Sequence, residues 1–491
     1  MKIKSIISAL ILVLSLQSYA QGNVFLNRDF WSNKPSVEDV DVQIKAGHDI
    51  TQANSNNFDA VVYAILQDAP NETIQYIQSK AGNDVNKLTH DGRTYIFWAA
   101  YKGNTEIMQY LLKNGAKTDI TDDKGNTILN FAAGSGQTNT KVYDMCLAHG
   151  ANLKSDLTPS GANALLLAAP FDTDFKLINY FTSKGLDIQS VDANGNGVFN
   201  YVAKTGNVEM LNQLLKKGVT GNNQAFIFAA YGTRSHTNNL DFYAYLEGIG
   251  LNPNTTSKEG ETPLHILAAR SKDLDLIRYF IKKGVDVNQA DADGNTAFLN
   301  AAYRNNLEVI TILNKQVKNI NAVNKKGESA LALALKNNTY VVVDFLIKNK
   351  AEVSVIDANG NNIIAYAMDS FNANNQKEFE QKIALIKANG IDISKPQANG
   401  NTLFHLAVLQ NNLDLVKWVN TYPVNVNAKN SEGNTALHLA AMRAKNSDIL
   451  KYLVSIGAKT DAVTEFDETA FDLASENEIL KSSKSNLDFL K

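Results

Sequence analysis

The stretch Ser431-Glu-Gly-Asn-Thr-Ala-Leu-His-Leu-Ala-Ala441 contains one of only seven histidines in a chain of 491 residues. Close kin recur along the sequence: Asn-Gly-Asn-Thr-Leu-Phe-His from Asn399, Glu-Gly-Glu-Thr-Pro-Leu-His from Glu259, Asp-Gly-Asn-Thr-Ala-Phe from Asp293, Lys-Gly-Asn-Thr-Ile-Leu from Lys124 and Asp-Gly-Arg-Thr-Tyr-Ile from Asp91. Their shared glycines are Gly92, Gly125, Gly161, Gly195, Gly260, Gly294, Gly327, Gly360, Gly400 and Gly433, most of them 33 or 34 residues from the next. A fixed period of this length is the mark of a repeat architecture. His438 is therefore read first as one position of a repeating unit, and only second as a chemical group.

Each unit carries the same local physics. Gly beside Asn or Asp tolerates positive φ and marks a tight turn. A threonine two residues later (Thr94, Thr127, Thr262, Thr296, Thr402, Thr435) is placed to cap a short helix. Small alanines follow where a neighbouring helix must come close. A second helix shows apolar residues at helical spacing, as in Ile107, Leu111 and Leu112, and ends at a glycine suited to a left-handed C-cap: Gly115, Gly150, Gly185, Gly218, Gly284, Gly390 or Gly457. The gap of 65 from Gly195 to Gly260 hides a unit in which Asn222 takes the Gly slot. Weaker units begin near Asn57 and Asp467.

This pattern resembles the ankyrin repeat. Gly260-Glu-Thr262-Pro263-Leu264-His265 carries the family's Thr-Pro-Leu-His signature in full, and Gly115-Ala116 and Gly457-Ala458 match its second-helix ending. The resemblance implies an all-α, helix-turn-helix solenoid with short β-hairpin fingers, of about 12–13 repeats including caps. The expected division is a signal peptide over 1–20, an N-terminal capping segment over 21–56, the array over 57–474 and a C-terminal capping tail over 475–491. Within the cap, residues 36–50 read as a lone second helix, with the aromatics of 25–31 tucked against it. Extra residues around 231–239 and 369–381 fall between the paired helices, and a truncated hairpin before Asn222 is expected to break the local curvature.

The resemblance also gives the histidines a role. His265, His405 and His438 share the slot five residues after the turn Gly, which implies a hydrogen bond to the backbone of the next unit. Elsewhere that slot holds Phe97, Asn130, Leu166, Asn200, Ile227, Leu299, Ala332 or Ala365, and those units are expected to lack the link. Metal ligation by the three does not fit. Packed helices lie roughly 8–10 Å apart, and zinc binds nitrogen at about 2 Å.

Other chemistry is weak. Cys146 and His149 sit three apart on one second helix with no orienting group near in sequence. Asp291-Ala-Asp293-Gly-Asn295 and Asp192-Ala-Asn194-Gly-Asn196 look like calcium-loop fragments, yet lack the glycine and glutamate such a loop needs. There is no phosphate-binding glycine loop, nucleophile elbow or paired metal motif. No enzyme activity, cofactor or metal is expected. A hydrolase or ligand module hidden in 21–56, 231–239 or 369–381 is the remaining enzymatic alternative.

The opening Met1–Gly22 has a positive start (Lys2, Lys4), an apolar run over Ile6–Leu16 and Ser18-Tyr19-Ala20 before Gln21. That is the layout of a leader for export, and the run is short for a membrane span. Its removal would take the net charge from −3 to −5. A mildly acidic chain argues against nucleic acid or an anionic membrane as the main partner. No later stretch is apolar enough to span a membrane. A single cysteine excludes an internal disulfide, so an exported protein of this kind relies on packing alone.

One slot invites recognition. Nine residues after the turn Gly, the first helix ends near what the family uses as its concave binding face. The slot holds Tyr101, Lys204, Tyr231, Tyr303, Lys336, Asp369, Leu409 and Met442. Tyrosine suits recognition surfaces because it offers area and a polar tip at low entropy cost. Packing between neighbouring units explains the same residues equally well. The function expected is a non-enzymatic scaffold acting outside the cytoplasm, periplasmic or secreted, that binds a protein partner. An envelope accessory factor stabilising an exported enzyme is the alternative within the same class.

Overall fold

All but one of the described repeats open on a turn closed by a residue in left-handed conformation, which glycine adopts without strain. Gly294 (φ 82°) and Gly433 (φ 73°) are examples, and at the weaker ends Asn57 (φ 59°) and Asp467 (φ 60°) take the same conformation. Asn222 does not: it lies outside the left-handed region. Its side chain instead accepts from Asn200 Nδ2 at 2.7 Å and donates to Gly195 O at 2.9 Å, so an amide bridge replaces the missing hairpin.

The computed structural model describes residues 22–234, 237–483 and 485–491. The signal-peptide reading of 1–20 lies outside them. The chain divides into two compact units, one ending at Asn238 and the other covering Asn239–Lys491. In the first, two short helices (Arg28–Ser32, Val37–Lys45) precede five complete helix pairs and the lone first helix Ala225–Tyr231. The second begins with Leu240–Gly248 and continues through seven complete pairs, from Pro263–Arg270 with Leu274–Lys282 to Ala470–Glu476 with Glu478–Ser482. Both are all-α ankyrin stacks.

The fingers are slighter than hairpins. Among the described residues seven of them hold a single antiparallel bridge, such as Thr121 with Thr127 or Val323 with Ser329, others such as the turn at Gly294 hold none, and no strand forms. Two arms this short cannot build a ladder of their own. They are held from the side, where a tip N–H donates to the carbonyl of the preceding finger: Asp123 to Asp91 at 2.9 Å, Lys325 to Asp293 at 2.9 Å, Ser431 to Asn399 at 3.0 Å.

Asparagine ties the helices of successive repeats. Asn305 Nδ2 donates to Ala268 O and Ser271 O at 2.7 and 2.8 Å, and Asn338 and Asn477 do the same one and five repeats on. The open carbonyls at the ends of these first helices, which have no intrahelical donor, are satisfied this way.

The insert at 369–381 is a brace. It forms a short turn and the start of the helix Gln376–Ala388. Lys382 is only 3% exposed, and its Nζ donates to Leu335 O at 3.0 Å, doing for that helix end what asparagine does elsewhere. Glu378 accepts the N–H of Tyr340, the first residue of the adjacent helix.

At the N-terminus, Ser36 and Asp39 form a capping box on Val37–Lys45, and Phe25 and Trp31 are fully buried. The extra helix Arg28–Ser32 is not evident from the sequence. The first finger bridges Ala53 to Asp59, so the expected boundary at 56/57 cuts through a turn. The boundary at 474/475 likewise falls inside Ala470–Glu476.

Candidate functional site

The three histidines are built into the backbone. Each Nδ1 accepts the N–H of its capping threonine, Thr262, Thr402 or Thr435, at 3.0, 3.1 and 3.1 Å. Nε2 must then carry the proton, and it donates to a carbonyl of the next repeat: Asn295 O at 3.1 Å, Asn434 O at 2.9 Å and Ala462 O at 2.9 Å. Burial holds all three imidazoles below their usual pKa, hence neutral. Pro263 sits at the first helical position, where its missing N–H costs nothing.

The expectation that other units lack this link needs correction. Asn130 Nδ2 donates to Asp156 O at 2.9 Å, and Asn200 pairs with Asn222. An amide carries the same kind of donor as Nε2–H, so asparagine retains the link and only the apolar residues lose it. Capping needs a smaller correction. The hydroxyls of Thr127, Thr262, Thr296 and Thr435 accept a helix N–H at 3.2–3.3 Å, whereas Thr94 Oγ1 is buried without a partner and the Phe97 N–H turns to the Thr94 carbonyl.

The calcium-like motifs are spent on their own turns. Asp291 Oδ1 accepts the N–H groups of Asp293 and Asn295 at 2.9 and 2.8 Å, and Asp192 Oδ1 those of Asn194 and Asn196 at 2.9 and 3.0 Å. Among the described residues, no three His, Cys, Asp or Glu side chains converge as a metal group.

Cys146 and His149 do acquire an acid in space, since Asp156 lines the same cavity. The three do not make an activated nucleophile. Burial, with the Asp156 carboxylate nearby, pushes the thiol up to about 12. The imidazole is turned to a backbone carbonyl, Nδ1 to Met145 O at 2.9 Å, and Asp156 Oδ2 accepts the Asn152 N–H at 3.0 Å.

A second recurring device escaped the sequence reading. A polar residue three before the turn glycine bonds an aromatic side chain nine residues later: Asn54 Nδ2 to Tyr63 Oη at 2.8 Å, Trp98 Nε1 to Thr89 Oγ1 at 2.8 Å, Tyr201 Oη to Asp192 at 3.0 Å and Tyr366 Oη to Asp357 at 2.7 Å. Where the aromatic is Phe131 and cannot bond, Arg93 substitutes. It pairs with the fully buried Asp122 through two nitrogens at 3.0 and 2.9 Å and lies 4.1 Å from the Phe131 centroid.

The first-helix-end slot divides by role. In the first unit, Tyr101 and Tyr231 are 39% and 40% exposed, while Lys204 is half-buried over the rings of Tyr201 and Phe228 at 5.4 and 5.1 Å. In the second unit, Met442 is 41% exposed, Tyr303 and Leu409 are half-buried, and Lys336 pairs with Asp369 of the next repeat at 3.3 Å. Lys204, Lys336 and Asp369 thus contact side chains of adjacent repeats, as does Tyr101 with its ring 6.0 Å from that of Phe131; Tyr101, Tyr231 and Met442 are the more exposed members of the slot.

A family model for ankyrin repeats (three copies) matches residues 33–122, 53–156, 96–192, 226–322, 298–379 and 373–464, leaving 193–225 unmatched. The chain belongs to the ankyrin-repeat family. It is 24% identical over 218 residues to the phosphocholine transferase AnkX of Legionella pneumophila, 44% of this chain and 21% of that protein. It is 32% identical over 98 residues to protein phosphatase 1 regulatory subunit 27 of Mus musculus, 20% of this chain and 63% of that one. The crystal structure of the human ASB11 ankyrin repeat domain matches at 20% identity with a TM-score of 0.37, over 45% of this chain and 96% of that one. The chain therefore spans less than two thirds of the length of these two curated relatives. Among the described residues no helix is long and apolar enough to cross a membrane.

Proposed function

We propose that this chain is a non-enzymatic scaffold that acts outside the cytoplasm and binds a protein partner through the ends of its first helices. Ankyrin repeats are interaction modules, and function on such a fold lives in a surface. The observation that carries the reading is a contrast between slots. The histidine and asparagine slots bond neighbouring repeats and the threonine slot caps its own helix, while Tyr101, Tyr231 and Met442 end their helices 39–41% exposed. Large amphipathic side chains on a rigid frame are the composition of a recognition surface.

The experiment is a crosslinked pull-down of the tagged chain from its native host, read by mass spectrometry, beside a Tyr101→Ala/Tyr231→Ala/Tyr303→Ala variant. One stoichiometric protein, lost in the variant, supports the reading; a partner indifferent to all three substitutions refutes this face. Export rests on the leader-like opening. Its test is fractionation with N-terminal sequencing, where a chain beginning at Gln21 outside the cytoplasm is the expected result and an intact Met1 in the cytosol overturns it.

A further inference from the structure

The sulfur of this protein is not evenly spread. The chain has one cysteine and six methionines. One cavity of the first unit is lined by that cysteine, Cys146, by two of the methionines, Met108 and Met145, and by His149. Its free volume is about 20 Å³, room for a single water or a small ion and too little for an organic ligand.

The donors suit a soft ion. Met145 and His149 lie one turn apart at the end of the helix Thr140–Ala148, and Met108 comes from the helix Thr105–Lys113 of the preceding repeat. The His149 ring is already oriented. Its Nδ1 faces Met145 O at 2.9 Å, and because a carbonyl only accepts, Nδ1 carries the proton and the lone pair is left on Nε2. His149 is exposed, Met145 is half-buried and Cys146 and Met108 are buried, so the four run from the surface inward along the cavity.

We propose that Met108, Met145, Cys146 and His149 form a binding site for one monovalent soft cation, Cu(I) or its analogue Ag(I). Thioether and thiolate donors select such ions over hard ones. Binding replaces the thiol proton, Cys146–SH plus Cu(I) giving Cys146–S–Cu plus one released proton, so the site stays neutral. The apolar surroundings that oppose a bare thiolate accept that neutral pair. Two thioethers and a thiolate suit this soft ion better than the borderline Zn(II). Asp156, on the cavity wall, favours entry of a cation. The site departs from the sequence expectation of no metal because Met108 is 38 residues from Cys146 and only folding brings them together.

The test is anaerobic competition of the purified full chain for Cu(I) against a colorimetric chelator, with Zn(II) in parallel and proton release followed in weak buffer. One Cu(I) per chain, one proton released and no Zn(II) uptake are expected. Met108→Leu and Met145→Leu, which keep the packing, are each expected to weaken Cu(I) binding by about tenfold or more, while Met210→Leu, buried elsewhere, leaves it unchanged. No Cu(I) retained by the folded chain overturns the proposal. So does binding that Cys146→Ser abolishes but both methionine variants leave intact, since that describes a single thiol. Equal affinity for Zn(II) overturns the soft-donor argument and with it the site.

Discussion

Replacing His265 by leucine removes the best-defined link between two repeats. The ring is fully buried, accepts the Thr262 N–H at 3.0 Å and reaches Asn295 O at 3.1 Å. Leucine fills most of the space but bonds neither group. The Thr262 N–H left without a partner costs about 1–3 kcal/mol, and the lost bond to Asn295 O, which keeps the Asp291 N–H at 2.8 Å, about 1 kcal/mol; the added apolar burial returns about 1 kcal/mol, for a net loss of about 1–3 kcal/mol. His265→Asn is the informative companion. Asn130 and Asn200 show that an amide in this slot can donate to the next repeat, so asparagine should restore the second bond but not the first, and lose about half as much. Urea unfolding followed by circular dichroism reads both, with the leucine midpoint about 1 M below the parent. The pH dependence gives a second reading. Burial lowers the folded-state pKa of His265, so the unfolded chain takes up the proton first, near pH ~6.5. The stability this group contributes is present above that pH and is lost as pH falls through its lowered folded value. The leucine variant should therefore lose less stability than the parent between neutral and mildly acid pH. A leucine variant with an unchanged midpoint, or an asparagine variant no better than leucine, would refute the reasoning.

Three further outcomes are expected. Gly294→Ala should destabilise more than Gly284→Ala: both have left-handed φ (82° and 84°), but a Cβ on Gly294 would meet the Lys325 nitrogen at 2.8 Å whereas Gly284 faces open space; thermal melts of the two compare contact with strain alone. Arg93→Met should cost about 1.5–3 kcal/mol by denaturant titration, because the buried Asp122 carboxylate loses its cationic partner and keeps only the Lys124 and Asn126 donors. Ala440→Leu, at a buried helix contact, should cost about 1–3 kcal/mol from overpacking, and an unshifted urea midpoint would count against close stacking there.

The insert shows where a plausible test misleads. Read as sequence, 369–381 is an addition that deletion could probe for a hidden activity. In the structure its helix carries Lys382 and Glu378 into the frame of the neighbouring repeat, and Phe379 is buried. Deletion would remove packing along with any activity, so substitutions on the exposed side of that helix are the cleaner probe.

Sequence alone determined the unit: the left-handed turn, the capping threonine, the two short helices and their period are encoded within stretches of ten or so residues, where each signal acts on its own backbone. From that repetition the family and the all-α class followed, and with them the structural role of His265, His405 and His438. What joins one unit to the next was decided by tertiary structure. Asn305 finds Ala268 and Ser271, Lys382 finds Leu335, and Asp122 finds Arg93, partners some 29 to 47 residues away. An asparagine in a sequence signals a turn, a cap or a tie equally well, and only the stack selects among them. The same holds for exposure. Tyr101 and Lys204 occupy one slot in the sequence, yet the tyrosine is 39% exposed with its ring 6.0 Å from Phe131 while the lysine is half-buried over Tyr201 and Phe228, because only the stack sets how much of each side chain is covered.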